Sequence, residues 1–225
     1  MAHHTRYPLW PLALSVALLP LLTIHFSYLL SALEGHVPWC IPHWDSCTSI
    51  SRTGRFGSAY FLFKGAMIPV ALLMIFFWWF TRHWLQQLGA SGRSVRLLPW
   101  IGLVAALSLL LYTLALGHVG DGYRLIRRVG VVFAFALTYL AQLLTSASLL
   151  HTQLHRWGRY LLLWALLTLL VGLSSLLLDA LWPELWKQVD DAFEWNLALL
   201  INAHALVIAW LWYRSGYSMQ LGIRG

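Results

Sequence analysis

Residues 161–178 read LLLWALLTLLVGLSSLLL, a run with no charged side chain. A membrane-spanning helix needs roughly 20 mostly apolar residues, because a helix satisfies its own backbone N–H and C=O groups in hydrocarbon. This run therefore reads as the middle of a transmembrane helix over 160–181. The same criterion, applied outward along the chain, gives five more segments, at 9–33, 59–80, 97–116, 129–150 and 191–213. Only one connection, 34–58, is long. The expected fold is all-α: a polytopic membrane protein, a six-transmembrane-helix bundle with a structured first outer loop, forming one domain over 1–225.

Composition points the same way. The 225 residues are 60% hydrophobic and 10% charged, with a mean hydropathy of +0.67. Soluble domains carry about 25% charged residues, so the chain lacks the polar surface of a water-facing enzyme. The net charge of +7 is spread among apolar blocks and does not form a nucleic-acid patch. It reads as loop charge beside anionic lipid, which makes membrane lipids the expected partner, with another membrane protein as the alternative. Only Lys64 and Lys187 among the 15 basic residues are lysine, a bias that points to a GC-rich bacterial genome and hence to an inner membrane.

The first segment follows Arg6 and is longer than the apolar core of a signal peptide, with no small-residue cleavage pattern before Glu34, so it is expected to be retained. Pro11 and Pro20 would kink it. Basic residues weigh almost equally on the two sides. Segments 1–8, 81–96, 151–159 and 214–225 hold Arg6, Arg82, Arg93, Arg96, Arg156, Arg159, Arg214 and Arg224 without an acid. Arg52, Arg55, Lys64, Arg124, Arg127, Arg128 and Lys187 lie on the other side, with all eight acids. Cytoplasmic termini are favoured because Cys40 and Cys47, the only cysteines, then fall in an external loop where a disulfide persists. Trp10, Trp78, Trp79, Trp84, Trp100, Trp182, Trp186, Trp212 and Tyr213 cluster near segment ends, as an aromatic belt does. Trp39 and Trp44 stand apart in the loop.

Ionisable groups within a membrane are costly and mark candidate sites. Here they are His25, Lys64, Asp179, Glu194 and His204. An ion pair of Lys64 with Glu194 or Asp179 is one expectation, and snorkelling of Lys64 to water is the other. Asp179 and Glu194 have shorter side chains and favour a water-filled outer cavity. On the sixth segment Glu194, Asn196, Asn202 and His204 do not share one face, which places that helix inside the bundle. Arg52 and Arg55 are expected to hold a lipid phosphate, which guanidinium matches bidentately. Ser49 and Ser51 lie close by in sequence. No Walker loop, GxSxG, HExxH or CxxC occurs. The spacing of His36, His43 and Asp45 fits no zinc pattern, and His25 with His204 is too thin a basis for haem, so neither metal nor cofactor is expected.

Two stretches carry a family resemblance. Ser49-Ile50-Ser51-Arg52-Thr53-Gly54, just before the second segment, resembles the IS-x-TG run of the Frag1/DRAM/Sfk1 family, which has PGAP2-like and Cwh43-like members. Ala192-Phe193-Glu194-Trp195 resembles that family's acidic-aromatic pair, with Asn202 and His204 following as an Asn and a His do there. Gly130, Phe133, Tyr139 and Gln142 are also compatible. The sequence departs from the pattern after Gly54, where Arg55-Phe56-Gly57-Ser58 replaces a Pro-rich acidic run, at Arg52, where an acid is common, and in the spacing of Asn202 and His204, which differs from that of PGAP2-like members. The resemblance implies six helices, cytoplasmic termini and a role in lipid remodelling or lipid distribution. The expected function is a lipid-handling protein with an outer-leaflet-facing pocket built on Glu194, His204 and Asp179. Glu194 or His204 would serve as a general base if the protein is an enzyme. A non-enzymatic adaptor and a proton-coupled small-solute transporter stay open beside it.

Overall fold

The computed structural model describes residues 5–221; Arg224, assigned above to the terminal side, lies outside them. Six long helices are apolar enough to cross a membrane. They are α1 (Trp10–Leu33), α4 (Gly57–Gln87), α5 (Arg93–Ala115), α6 (Asp121–Leu149), α7 (His155–Leu181) and α8 (Pro183–Arg214). Two single-turn helices, α2 (Pro42–Asp45) and α3 (Ile50–Thr53), lie in the long loop. Strands β1 (Thr5–Pro8) and β2 (Ser218–Leu221) pair antiparallel and join the two ends of the chain on one face. That face is called terminal below, and the opposite one the loop face.

Several helices run past the segments read from hydropathy. α6 starts at Asp121 rather than 129, α4 continues to Gln87, and Trp182 alone separates α7 from α8. Hydropathy marks only the stretch that sits in hydrocarbon, whereas a hydrogen-bonded helix continues into the polar interface wherever its backbone finds no better partner. α8, at 32 residues, is about 48 Å long, well beyond a hydrocarbon core of roughly 30 Å.

Each spanning helix packs on its neighbours in sequence, and α8 closes the ring against α1. Small residues permit the close approaches, as is usual where apolar helices meet in lipid. A Cβ on Gly102 of α5 would collide with the Trp78 ring of α4. One on Gly130 of α6 would lie 3.0 Å from the Ser108 carbonyl and Tyr112 Cβ of α5. α7 is the most peripheral helix and offers long leucine faces outward.

The structure corrects the aromatic belt. Trp78, Trp84 and Trp212 are buried rather than interfacial. Trp84 and Trp212 pack together, Trp212 meets Phe77 and Tyr217, and the Trp84 indole N–H donates to Ser215 Oγ. Tyr217 donates its hydroxyl proton to the Phe80 carbonyl and faces His83 Nδ1. These rings knot the terminal face together around α4 and α8.

Gly102→Val should lower thermal stability by about 1–3 kcal/mol, the usual range for overpacking. Gly172→Ala should not lower it, and should raise it by up to about 1 kcal/mol, since nothing lies within 4 Å of the added carbon. Melting of both variants in one detergent checks this, and equal melting points would contradict the packing described.

Candidate functional site

The loop face is a built structure. Cys40 and Cys47 are joined by a disulfide. Tyr28 of α1 sends its hydroxyl proton to the Cys40 carbonyl at 2.7 Å and accepts the Cys40 N–H at 2.8 Å. The Asp45 carboxylate accepts the Ile41 N–H and closes α2. From the other side α8 holds the loop in three places. Trp195, fully buried, donates its indole N–H to the Thr48 carbonyl. The Asn196 amide donates to the His43 carbonyl, and the Ala192 N–H donates to Ser46 Oγ. The loop is therefore a lid clamped between α1 and α8.

His25 and His43 meet within this clamp. Their rings stack at 5.4 Å, each edge-on to Trp195. His25 Nδ1 lies 2.7 Å from the Leu21 carbonyl, which only accepts, so Nδ1 carries the proton. In the neutral pair His25 Nε2 is then an acceptor, and His43 Nε2–H donates to it across 3.2 Å. This leaves His43 Nδ1 as a buried lone pair with no hydrogen-bond partner. Burial first, and the His25 ring second, hold His43 below the usual imidazole value. Elsewhere on the rim, Glu34 accepts the Ser58 hydroxyl and N–H and so caps α4, and these bonds press its carboxyl below the usual range. Gly57, at φ 57°, is required there because a Cβ would collide with the Glu34 carboxylate.

The stretch Ser49–Gly54 forms α3 and its caps. Ser49 Oγ accepts the Arg52 N–H, and Thr53 Oγ1 donates to the Ile50 carbonyl. A Cβ on Gly54 would sit 2.7 Å from the Phe63 ring, so the Thr-Gly pair fixes the turn into α4. This places Ile50 inward and Arg52 and Arg55 over the bundle. Arg55 donates to Ser51 Oγ at 3.2 Å, while its Nε–H is buried with no partner. Burial, then the charges of Arg127 and Arg52, lower Arg55 from its usual value, opposed by Tyr112 and Glu194. A guanidinium stays charged under such pressure, so this is a half-buried cation without its anion.

Tyr112 of α5 is 3% exposed, and its hydroxyl also has no hydrogen-bond partner. Arg127 of α6 donates to the Ala115 and His118 carbonyls, which fixes it at the C-terminal end of α5. Gly130, one turn along, is what lets α6 approach α5 at Tyr112. Opposite stand the acids of α8: Glu194 lies in the field of Asp191, Asp190 and Arg55, and Asp191 in that of Arg52. Yet among the described residues the ion pairs in contact are His36–Glu34 and Lys187–Glu184 alone. The arginines and the α8 carboxylates face each other without touching.

Beneath this cluster runs an apolar cleft with about 790 Å³ of empty space, its open mouth included. Ile50 and Phe63 line its upper part, Met67 and Met74 its flank, and Trp78 and Gln142 its far end. Phe63 to Trp78 spans about 22 Å of helix, more than the ~15 Å of hydrocarbon in one leaflet.

The other expected residues lie elsewhere. Lys64 donates to Tyr60 Oη and the Leu114 carbonyl, and pairs with neither Glu194 nor Asp179. Asp179 is exposed near the end of α7. His204, 2% exposed, bonds through Nε2 to Ser146 Oγ at 2.9 Å, about 15 Å along α8 from Glu194. Asn202 lines the cleft and donates to the Ala198 carbonyl. Ser49 and Ser51 hydroxyls lie 3.3 Å apart. The structure thus brings Arg52, Arg55, Ser49, Ser51 and Glu194 to one cluster and His25 to the neighbouring lid, while His204, Asp179 and Lys64 sit apart. Sequence reasoning passed over Tyr112 and Arg127. Their one signal is Gly130, whose place one turn after Arg127 marks a close helix crossing.

No family model, no curated protein and no solved structure matches the chain.

A group whose folded value is depressed gives stability that is present above its unfolded value and is lost as pH falls. For His43 the loss begins near the unfolded imidazole value of about 6.5, and for Glu34 only below the carboxylate value of about 4.3. Wild type should therefore lose melting temperature in detergent, relative to His43→Gln, between about pH 7 and pH 5. An unchanged slope in the variant would show that the histidine pair does not secure the lid.

Proposed function

We propose that this protein is a lipid-handling membrane protein that takes a phosphate-bearing amphiphile from the leaflet next to its disulfide loop. The observation that carries the reading is the seating of a charged, partly unsatisfied arginine cluster directly over an apolar cleft. Arg55 Nε–H and the Tyr112 hydroxyl are buried polar groups with no partner. Leaving such groups unsatisfied costs about 1–3 kcal/mol each, which a phosphate oxygen would relieve. The cleft below supplies an apolar path for an acyl chain, with Met67 and Met74 as adaptable walls.

The disulfide supports an extracytoplasmic placement for the loop, since such bonds persist in oxidising compartments. Both termini, on the opposite face, would then be cytoplasmic, as expected for an inner-membrane protein of the Frag1/DRAM/Sfk1 type. The reading commits to lipid capture and presentation rather than to a catalytic step. The Ser51 hydroxyl is engaged by Ser49 and Arg55, and the Ser–His contact of the described residues, Ser146–His204, lies deep in the bundle.

Native mass spectrometry of the purified full-length protein tests this. Wild type should carry a bound phospholipid. Arg55→Gln should reduce its occupancy about tenfold, the worth of one charge-assisted hydrogen bond. Ala198→Trp, which fills the cleft wall, should abolish it. A wild-type protein without lipid, or full occupancy in both folded variants, would overturn the reading.

A further inference from the structure

The cluster over the cleft has two signs of charge. Arg52, Arg55 and Arg127 stand on the side of the loop and α6, and Asp190, Asp191 and Glu194 stand on α8. Asp191 and Asp190 lie three and four residues before Glu194, so all three acids share one helix face and repel one another. A site built for a phosphate alone has no use for that arrangement. A site built as a closed ion-pair network would bring the two sides into contact, and it does not: none of the three arginines makes an ion pair with any of these carboxylates among the described residues. Each side is also tied back to its own element. Arg127 is held by the carbonyls ending α5, Arg55 by Ser51, and Asp190 by the Asp191 N–H. Arg55 and Arg127 are thus held on their own side, and the buried, unsatisfied Tyr112 hydroxyl lies next to Arg55.

Resting on the lipid reading above, we infer that the headgroup taken is zwitterionic with a primary ammonium, of the phosphoethanolamine class. Its phosphate lies between Arg55, Arg127 and the Tyr112 hydroxyl, and its ammonium lies against Glu194 and Asp191. A phosphoglycerol headgroup would satisfy the arginines and leave the three acids uncompensated. A phosphocholine headgroup would bring positive charge but no N–H to donate to the carboxylates. The primary ammonium offers three donors on a compact charge and matches two carboxylates one helical turn apart.

The test loads the full-length protein from vesicles holding equal parts of phosphatidylethanolamine, phosphatidylcholine and phosphatidylglycerol with identical acyl chains, and reads bound lipid by native mass spectrometry. Wild type should favour the ethanolamine lipid about tenfold over each of the others, the ratio expected of one charge-assisted hydrogen bond. Glu194→Gln should bring the ratio near one. Asp191→Asn, at the rim, should reduce the ratio severalfold and serves if the first variant does not fold. Water-soluble glycerophosphoethanolamine should compete poorly, because it leaves the cleft empty. Equal loading of the three lipids by wild type, or a preference that survives both substitutions, would overturn the headgroup inference and leave lipid capture standing. Absence of any bound phospholipid would remove both.

Discussion

Trp195 donates its indole N–H to the Thr48 carbonyl from a fully buried position, and the geometry of the loop face hangs on that contact. A Trp side chain buries roughly 150–250 Å², and here it does so against Tyr28, His25 and His43, which come from α1 and from the loop. Removing the indole would leave the Thr48 carbonyl buried without a partner, at about 1–3 kcal/mol, and would open the packing on three sides. The disulfide alone could not replace it: a bridge across seven residues fixes the shape of the loop but not its seat on the bundle. Trp195 sets where α3 lies, and hence where Arg52 and Arg55 point.

That placement explains how opposite charges come close without collapsing into pairs. In a protein interior two unit charges at 4 Å attract by about 4 kcal/mol at an effective dielectric of 20, enough to draw flexible side chains together. Here Arg127 and Arg55 are held back by bonds to their own side. Arg127 ends α5 as a capping cation, which the helix dipole favours. Arg55 is held one turn back on Ser51. Glu194 follows the backbone of α8, which Trp195 and Asn196 fasten to the loop. Unused attraction on both sides of the gap is available to a ligand with complementary charges, and the held arginines enter binding with little reorganisation.

Much of this was legible in the sequence, and the reasons for the rest are physical. The six spans follow from predominantly apolar runs, so all six were found, although their ends were not: Asp121–Arg128 and Pro183–Asp190 are helical in polar surroundings that hydropathy does not mark. Glu194 stood out because charge within a membrane is costly, and Arg52 and Arg55 because a guanidinium in the loop matches a lipid phosphate. Tyr112 did not, because a tyrosine near a helix end is unremarkable until its hydroxyl proves to be buried. His204 looked like a companion of Glu194 because both lie on one helix, but ten residues of α8 separate them along the bundle axis. Trp78, Trp84 and Trp212 resembled belt residues by position alone; the aromatic knot that buries them joins α4, α8 and the chain end, contacts that no local pattern encodes.

The deep polar groups then acquire a different sense. α6 and α8 face each other across the cleft and are linked directly by the Gln142 amide donating to the Ile201 carbonyl and by the Ser146–His204 bond. Ser146 sends its own proton to the Gln142 carbonyl, so His204 Nε2–H is the donor to Ser146. Interhelical bonds of this kind contribute about 0.6 kcal/mol each in a membrane. That is too little to fold the protein, yet enough to hold two helices that otherwise scarcely meet. Both bonds lie toward the terminal face, whereas the arginines and acids lie toward the loop face. The cleft is therefore cross-linked at one end and polar at the other. On the lipid reading this asymmetry sets the direction of entry: an acyl chain passes inward below the lid, its tail stops at the Gln142–Ile201 bridge, and its headgroup stays where the charges are.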